Sequence, residues 1–243
     1  MVRKSPLAIV LVMLASFFVP GQCGSAESPA GVRWGDTKAD RILFLGNSIT
    51  LHGPLAAIGW TNNWGMAASA QEKDYVHLLA SSIARLSGRQ PDVRIENIAD
   101  FERRYDTYDL ARLAKHADFK PDIVVVAIGE NVPALVSEDS KARFHDRFVR
   151  LLKALKGSGQ PAVFVRSCFW ADKTKDDIMR QSCSAVGVVF VDISTLGKDE
   201  SNHARSERSL AHAGVADHPG DKGMKAIADA LLNAITSRPP RNP

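Results

Sequence analysis

Cysteine is scarce in this chain of 243 residues, with three in all, at Cys23, Cys168 and Cys183. So few thiols exclude a disulfide framework, and none stands at zinc-ligand spacing from a second thiol or a histidine. Long apolar runs are also lacking. The longest, from Leu7 to Val19, falls well short of the ~20 residues that span a bilayer. Aromatic residues make up only 7% of the chain, and no basic stretch has aromatics interleaved with it, which excludes a nucleic-acid partner. There is no glycine-rich phosphate loop and no dinucleotide fingerprint, so neither a nucleotide nor any other cofactor is implied.

What is present begins with an export signal. Arg3 and Lys4 precede the apolar run, and Pro20, Gly21, Gly24 and Ala26 follow it, the order of a secretory leader cut after Ala26. Gln22 is larger than the residue that usually precedes a lipid-bearing cysteine, so Cys23 is not expected to carry an anchor. Cleavage leaves residues 27–243, enough for one α/β domain with its own core, expected to be secreted or periplasmic and free of the membrane. The formal charge of +4 includes Arg3 and Lys4 with no acid before Glu27, so the mature chain carries only +2. An oxidising compartment permits Cys168 and Cys183 to pair, but their spacing leaves the question open.

From residue 41 onward short apolar segments alternate with helical patterns. Ile42 to Leu45, Val93 to Ile98, Ile123 to Ile128, Ala162 to Val165 and Val188 to Val191 read as strands. Val76, Leu79, Ile83 and Leu86 follow helical spacing, as do Phe144, Phe148, Leu151, Leu152 and Leu155, and then Met224, Ile227, Ala228, Leu231 and Ile235. Pro91, Pro121 and Pro161 mark the ends of helices ahead of the second, third and fourth strands. Apolar strands separated by amphipathic helices predict a five-stranded parallel sheet covered on both faces, a flavodoxin-like three-layer α/β/α sandwich. Residues 50–70 show no period and read as a long functional loop, and the proline-rich tail from Ser237 reads as frayed.

In such a sheet, ligands bind beyond the carboxyl ends of the strands. After the first strand stand Gly46-Asn47-Ser48-Ile49-Thr50, where Gly46 allows a sharp turn that exposes Ser48. Thr50 occupies the last position of a Gly-x-Ser-x-Gly elbow, which excludes that hydrolase class. After the third strand stand Gly129-Glu130-Asn131, and Asp217-His218-Pro219-Gly220 precede the last helix. A serine hydroxyl becomes a useful nucleophile only when a base takes its proton, and an imidazole near neutrality suits that task. Ser48 and His218 supply the pair. The Ser48 backbone N–H and the Asn131 amide are candidate donors to an oxyanion.

Gly46-Asn47-Ser48, Gly129-Glu130-Asn131 and His218-Pro219 together resemble the first, third and fifth sequence blocks of the SGNH (GDSL-like) hydrolases, in that family's chain order. The resemblance implies a carboxylic ester hydrolase whose serine acts on short acyl, typically acetyl, esters of small molecules or glycans. Two positions depart from the pattern. The family's glycine after the second strand is missing from Asn97-Ile98-Ala99-Asp100, and the acid expected three residues before the histidine is Val215. The orienting group is then Asp217 or a backbone carbonyl. Trp60 and Trp64 either stack on a sugar or pin their loop, while Arg166, Arg103 and Arg104 either meet an anionic substrate or form ion pairs. The other six histidines read as surface or packing residues. A glycan-binding module that has lost catalysis and a sugar O-acyltransferase stand as alternatives.

Overall fold

The segment Ile123–Ala127 contains no polar side chain, and all five of its residues are buried at the centre of the sheet. The structure, a computed structural model, describes Met1 and residues 33–34, 37–157 and 159–237. The leader with its cleavage point, Cys23, and the tail past Ser237 lie outside the described residues. All the elements below fall in one compact unit that begins at Gly31.

Two short strands, β1 (Arg33–Trp34) and β2 (Thr37–Lys38), pair antiparallel. The main sheet comprises β3 (Arg41–Gly46), β4 (Asp92–Asn97), β5 (Ile123–Ala127), β6 (Ala162–Arg166) and β7 (Val189–Val191), in the order β4-β3-β5-β6-β7. Every neighbouring pair is parallel, as the apolar runs predict. The principal helices are α1 (Tyr75–Ser87), α3 (Glu138–Lys156), α4 (Lys173–Val186) and α6 (Asp221–Thr236). Short helices α2 (Ala99–Arg103) and α5 (Ala213–Ala216) lie in the connections.

Strand periodicity divides the core. Ile42 and Phe44 pack with Val76 and Leu79 of α1 and Ile227 and Leu231 of α6. Leu43 and Leu45 point the other way, to Phe144 and Phe148 of α3 and Met179 of α4. The result is the three-layer sandwich. Leu86 departs from its expected place in the core and is exposed in the last turn of α1. A run of 3-10 turns over Leu110–Phe119 has no counterpart in the sequence reading, because its residues follow no single period. Cys168 and Cys183 are both free thiols buried in the second core cluster, so the structure contains no bond between them.

Candidate active site

Register brings the site segments together. Gly46 pairs with Asn97 on one side and Ala127 on the other, so three chain segments leave the sheet side by side at its carboxyl edge. The turn after β3 folds back tightly, with the Thr50 and Leu51 N–H groups both donating to the Asn47 carbonyl at 3.0 Å. A Cβ on Gly46 would lie 1.8 Å from Thr50 Oγ1, and Gly46 is not among the positive-φ residues. The sequence reading ascribed this glycine to conformational freedom, but space is what the position requires. Gly129, at φ +135°, is the residue that uses a backbone region closed to other side chains.

Ser48 Oγ lies 2.9 Å from His218 Nε2, across 170 positions of sequence. The second ring nitrogen, Nδ1, faces the Gly214 carbonyl of α5 at 2.6 Å. That contact fixes the tautomer, since Nδ1 must donate to the carbonyl and Nε2 is left as an acceptor toward the serine. Burial pushes the His218 pKa below the ordinary imidazole value, and the Gly214 contact offsets only part of this. Trp170, which follows β6, packs edge-on against the ring with centroids 5.1 Å apart. Its position beyond a strand's carboxyl end was the one signal that could have marked it.

Asp217 does not orient the imidazole. Its carboxylate pairs with Arg205, and its Oδ1 is 3.3 Å from His203 Nδ1. The adjacent positions diverge because His218 turns back toward Gly214 in the preceding turn. His203 is buried, with Nδ1 2.7 Å from the Asp217 carbonyl and Nε2 2.9 Å from that of Gly197.

Beneath the serine lies a buried polar network that the sequence reading missed. Asn47 is fully buried and donates through Nδ2 to Glu102 at 3.0 Å and to Glu130 at 2.6 Å. Glu102 also accepts from the Gly129 N–H at 2.6 Å, the Asn131 N–H at 3.1 Å and Asn131 Nδ2 at 2.7 Å. Burial, and then the nearby Glu130 charge, push the Glu102 pKa up, while these donors pull it down. Burial likewise opposes the charge of Glu130, but the Arg166 guanidinium 2.5 Å away holds its pKa below the usual carboxylate range.

Arg166 is therefore a fully buried ion-pair partner and not a substrate contact. Trp60 is also buried, with Nε1 donating to the His52 carbonyl at 2.9 Å and its ring edge-on to Trp64. Trp64 Nε1 donates to the Ala68 carbonyl at 3.1 Å. Both indoles pin the loop, and neither lines the space beside Ser48. That space is a cavity of about 310 Å³ bounded by Ser48 and His218, by apolar Ile58, Met66 and Val215, and by the β4–α2 segment. His52, His212 and Arg103 also line it. Asn131 does not line it. One of its amide hydrogens is taken by Glu102, and Ala99, at the family's glycine region, spends its N–H on Asn97 Oδ1 at 2.9 Å.

Neither a protein-family model nor a curated protein sequence matches this chain. Solved structures do match in fold. The esterase EstA from Pseudoalteromonas sp., in a form inhibited by monoethylphosphonate, superimposes with a TM-score of 0.51 at 15% identity, over 81% of this chain and 96% of that one. A GDSL-like lipase candidate from Bacteroides uniformis gives 0.54 at 13% identity, over 83% and 97%. An acetyl xylan esterase gives 0.50 at 16% identity, over 80% and 99%.

Proposed function

We propose that this chain, whose fold is that of the GDSL-like (SGNH) esterases and lipases, is a serine esterase with Ser48 as nucleophile and His218 as general base. The observation that carries the reading is the 2.9 Å contact between Ser48 Oγ and His218 Nε2 beside an open cavity. Neutral His218 takes the hydroxyl proton as Oγ attacks the ester carbonyl. The imidazolium then returns the proton to the departing alcohol, and water hydrolyses the acyl-serine by the same relay. The N–H of Ser48, two residues beyond the last paired position of β3, and the second amide hydrogen of Asn131 are the proposed oxyanion donors.

The finer reading is an exported enzyme acting on short acyl groups, acetyl above all, carried by a carbohydrate. Three observations support it. The first 26 residues have the order of a leader, the cavity is small, and one protein of the same fold is an acetyl xylan esterase. The preformed Ser48–His218 contact favours catalysis over a binding-only module.

The test is hydrolysis of 4-nitrophenyl acetate by the mature chain, with fluorophosphonate labelling mapped by mass. Label is expected on Ser48. Ser48→Ala, His218→Ala and the double variant should fall to one common floor, about 10²-fold or more below the parent, because the pair acts as a unit. Equal rates for Ser48→Ala and the parent would remove the nucleophile assignment.

A further inference from the structure

The short helix α2 carries Asp100, Glu102 and Arg103, with Arg104 at its end, and all but one of these charges are matched. Asp100 pairs with Arg104 at 3.0 Å and with Arg112 at 3.6 Å. Glu102 turns inward to its four N–H contacts. Arg103 has no ion pair or side-chain hydrogen bond among the described residues, and it is exposed. Exposure alone would make it an ordinary solvated side chain, but its position gives it direction. Ala99 and Arg103 stand four apart, on one face of α2, and both line the cavity beside Ser48. Two more potential donors, His52 and His212, line the same space, and no Asp or Glu does. The catalytic cavity is thus bordered by an unmatched guanidinium with no acid to compete for it. A guanidinium offers a planar fork that fits a carboxylate by two parallel hydrogen bonds.

We propose that the natural substrate is an anionic ester, carrying a carboxylate near the scissile bond, and that Arg103 binds this group. The inference rests on the esterase reading above and adds the substrate's charge to it. The carboxylate can belong to the acyl half, as in the half-ester of a dicarboxylic acid. It can equally belong to the alcohol half, as in an acetylated sugar acid. The chemistry at Arg103 is the same for both.

Two matched pairs of esters separate these sources. Methyl 4-nitrophenyl glutarate against mono-4-nitrophenyl glutarate tests the acyl half, and methyl 4-acetoxybenzoate against 4-acetoxybenzoate tests the alcohol half. In at least one pair the anionic ester is expected to have the higher kcat/KM, by ~10-fold or more and mainly through KM, the worth of one hydrogen bond between charged groups. Arg103→Gln should erase that preference, Arg103→Lys should restore part of it, and Arg103→Glu should reverse it. Added salt should shrink it in the parent. Binding of glutarate and 4-acetoxybenzoate to Ser48→Ala, followed by calorimetry, gives a readout that needs no turnover. It should weaken in the Ser48→Ala, Arg103→Gln double variant. Charge-blind cleavage that still needs Ser48, or an Arg103→Gln variant slowed equally on all four esters, overturns the inference and leaves the esterase reading intact. Failure to cleave any ester or to take the fluorophosphonate label removes the esterase reading itself, and with it this one.

Discussion

The carbonyl oxygen of Gly214 lies 2.6 Å from Nδ1 of His218, in the place where a triad would put a carboxylate. A carbonyl accepts the Nδ1 proton and fixes the ring as well as an acid does. It has no full negative charge with which to stabilise the imidazolium that forms in the transition state. Orientation is therefore supplied with no carboxylate bonded to Nδ1, and the proposed catalytic pair is a dyad held by a backbone carbonyl.

The dyad has a pH signature. Only neutral His218 can accept the serine proton, and burial lowers its pKa from the ordinary imidazole value. A lowered pKa keeps the neutral form populated further into acid. The acid limb of kcat/KM is expected to fall with the slope of a single proton and a midpoint below ~6.5. A stopped-time assay on 4-nitrophenyl acetate from pH 4 to 8 measures it, and a midpoint above ~6.5 would contradict the burial argument.

Asp217 adjoins His218 in sequence but serves a different contact. Its carboxylate pairs with Arg205, and both side chains are about two-fifths exposed, at 44% and 40%. Exposed pairs of this kind contribute ~0–1 kcal/mol. Asp217→Asn is expected to change kcat by less than about 3-fold, against the ~10⁴-fold loss that follows when a true triad acid is amidated. Steady-state rates of the purified variant decide between them, and a loss of 10³-fold would return Asp217 to the catalytic relay.

The sheet was legible because its residues are nearly free of exceptions. Ile123 to Ala127 is wholly apolar, and a run of that kind in an α/β pattern has only a doubly covered parallel strand to go to. The meeting of Ser48 and His218 was legible for a related reason, since each follows or precedes an element whose end could be located. The supporting contacts were not. Glu102 sits in a helix of five residues, and nothing in its spacing distinguishes a fully buried carboxylate from a solvated one. Arg166 ends a strand, as a substrate-binding arginine would, and only the position of Glu130 across the β5–β6 boundary reveals its partner. Trp60 and Trp64 were ambiguous because an indole serves packing and stacking equally well, and their hydrogen bonds to the carbonyls of His52 and Ala68 resolve the matter.

Glu102 gives the sharpest test of how the site is held. All four of its contacts come from N–H donors, on Asn47, Gly129 and Asn131, and an ionised carboxylate is the form that accepts them all. Glu102→Gln keeps the shape but turns one acceptor into a donor, so an N–H group meets an N–H group inside the protein. If the amide nitrogen takes the place of Oε2, it faces Asn131 Nδ2, and Asn131 must rotate its side chain. If it takes the place of Oε1, three donors lose their acceptor. Either arrangement is expected to cost about 1–3 kcal/mol of stability in urea denaturation. Because Asn131 is a proposed oxyanion donor, the variant should also lose ~10²-fold or more in kcat with little change in KM, the pattern of an interaction made only in the transition state. Lost stability with kcat preserved at a temperature well below unfolding would make Glu102 a structural brace alone. It would also remove Asn131 from the proposed oxyanion donors.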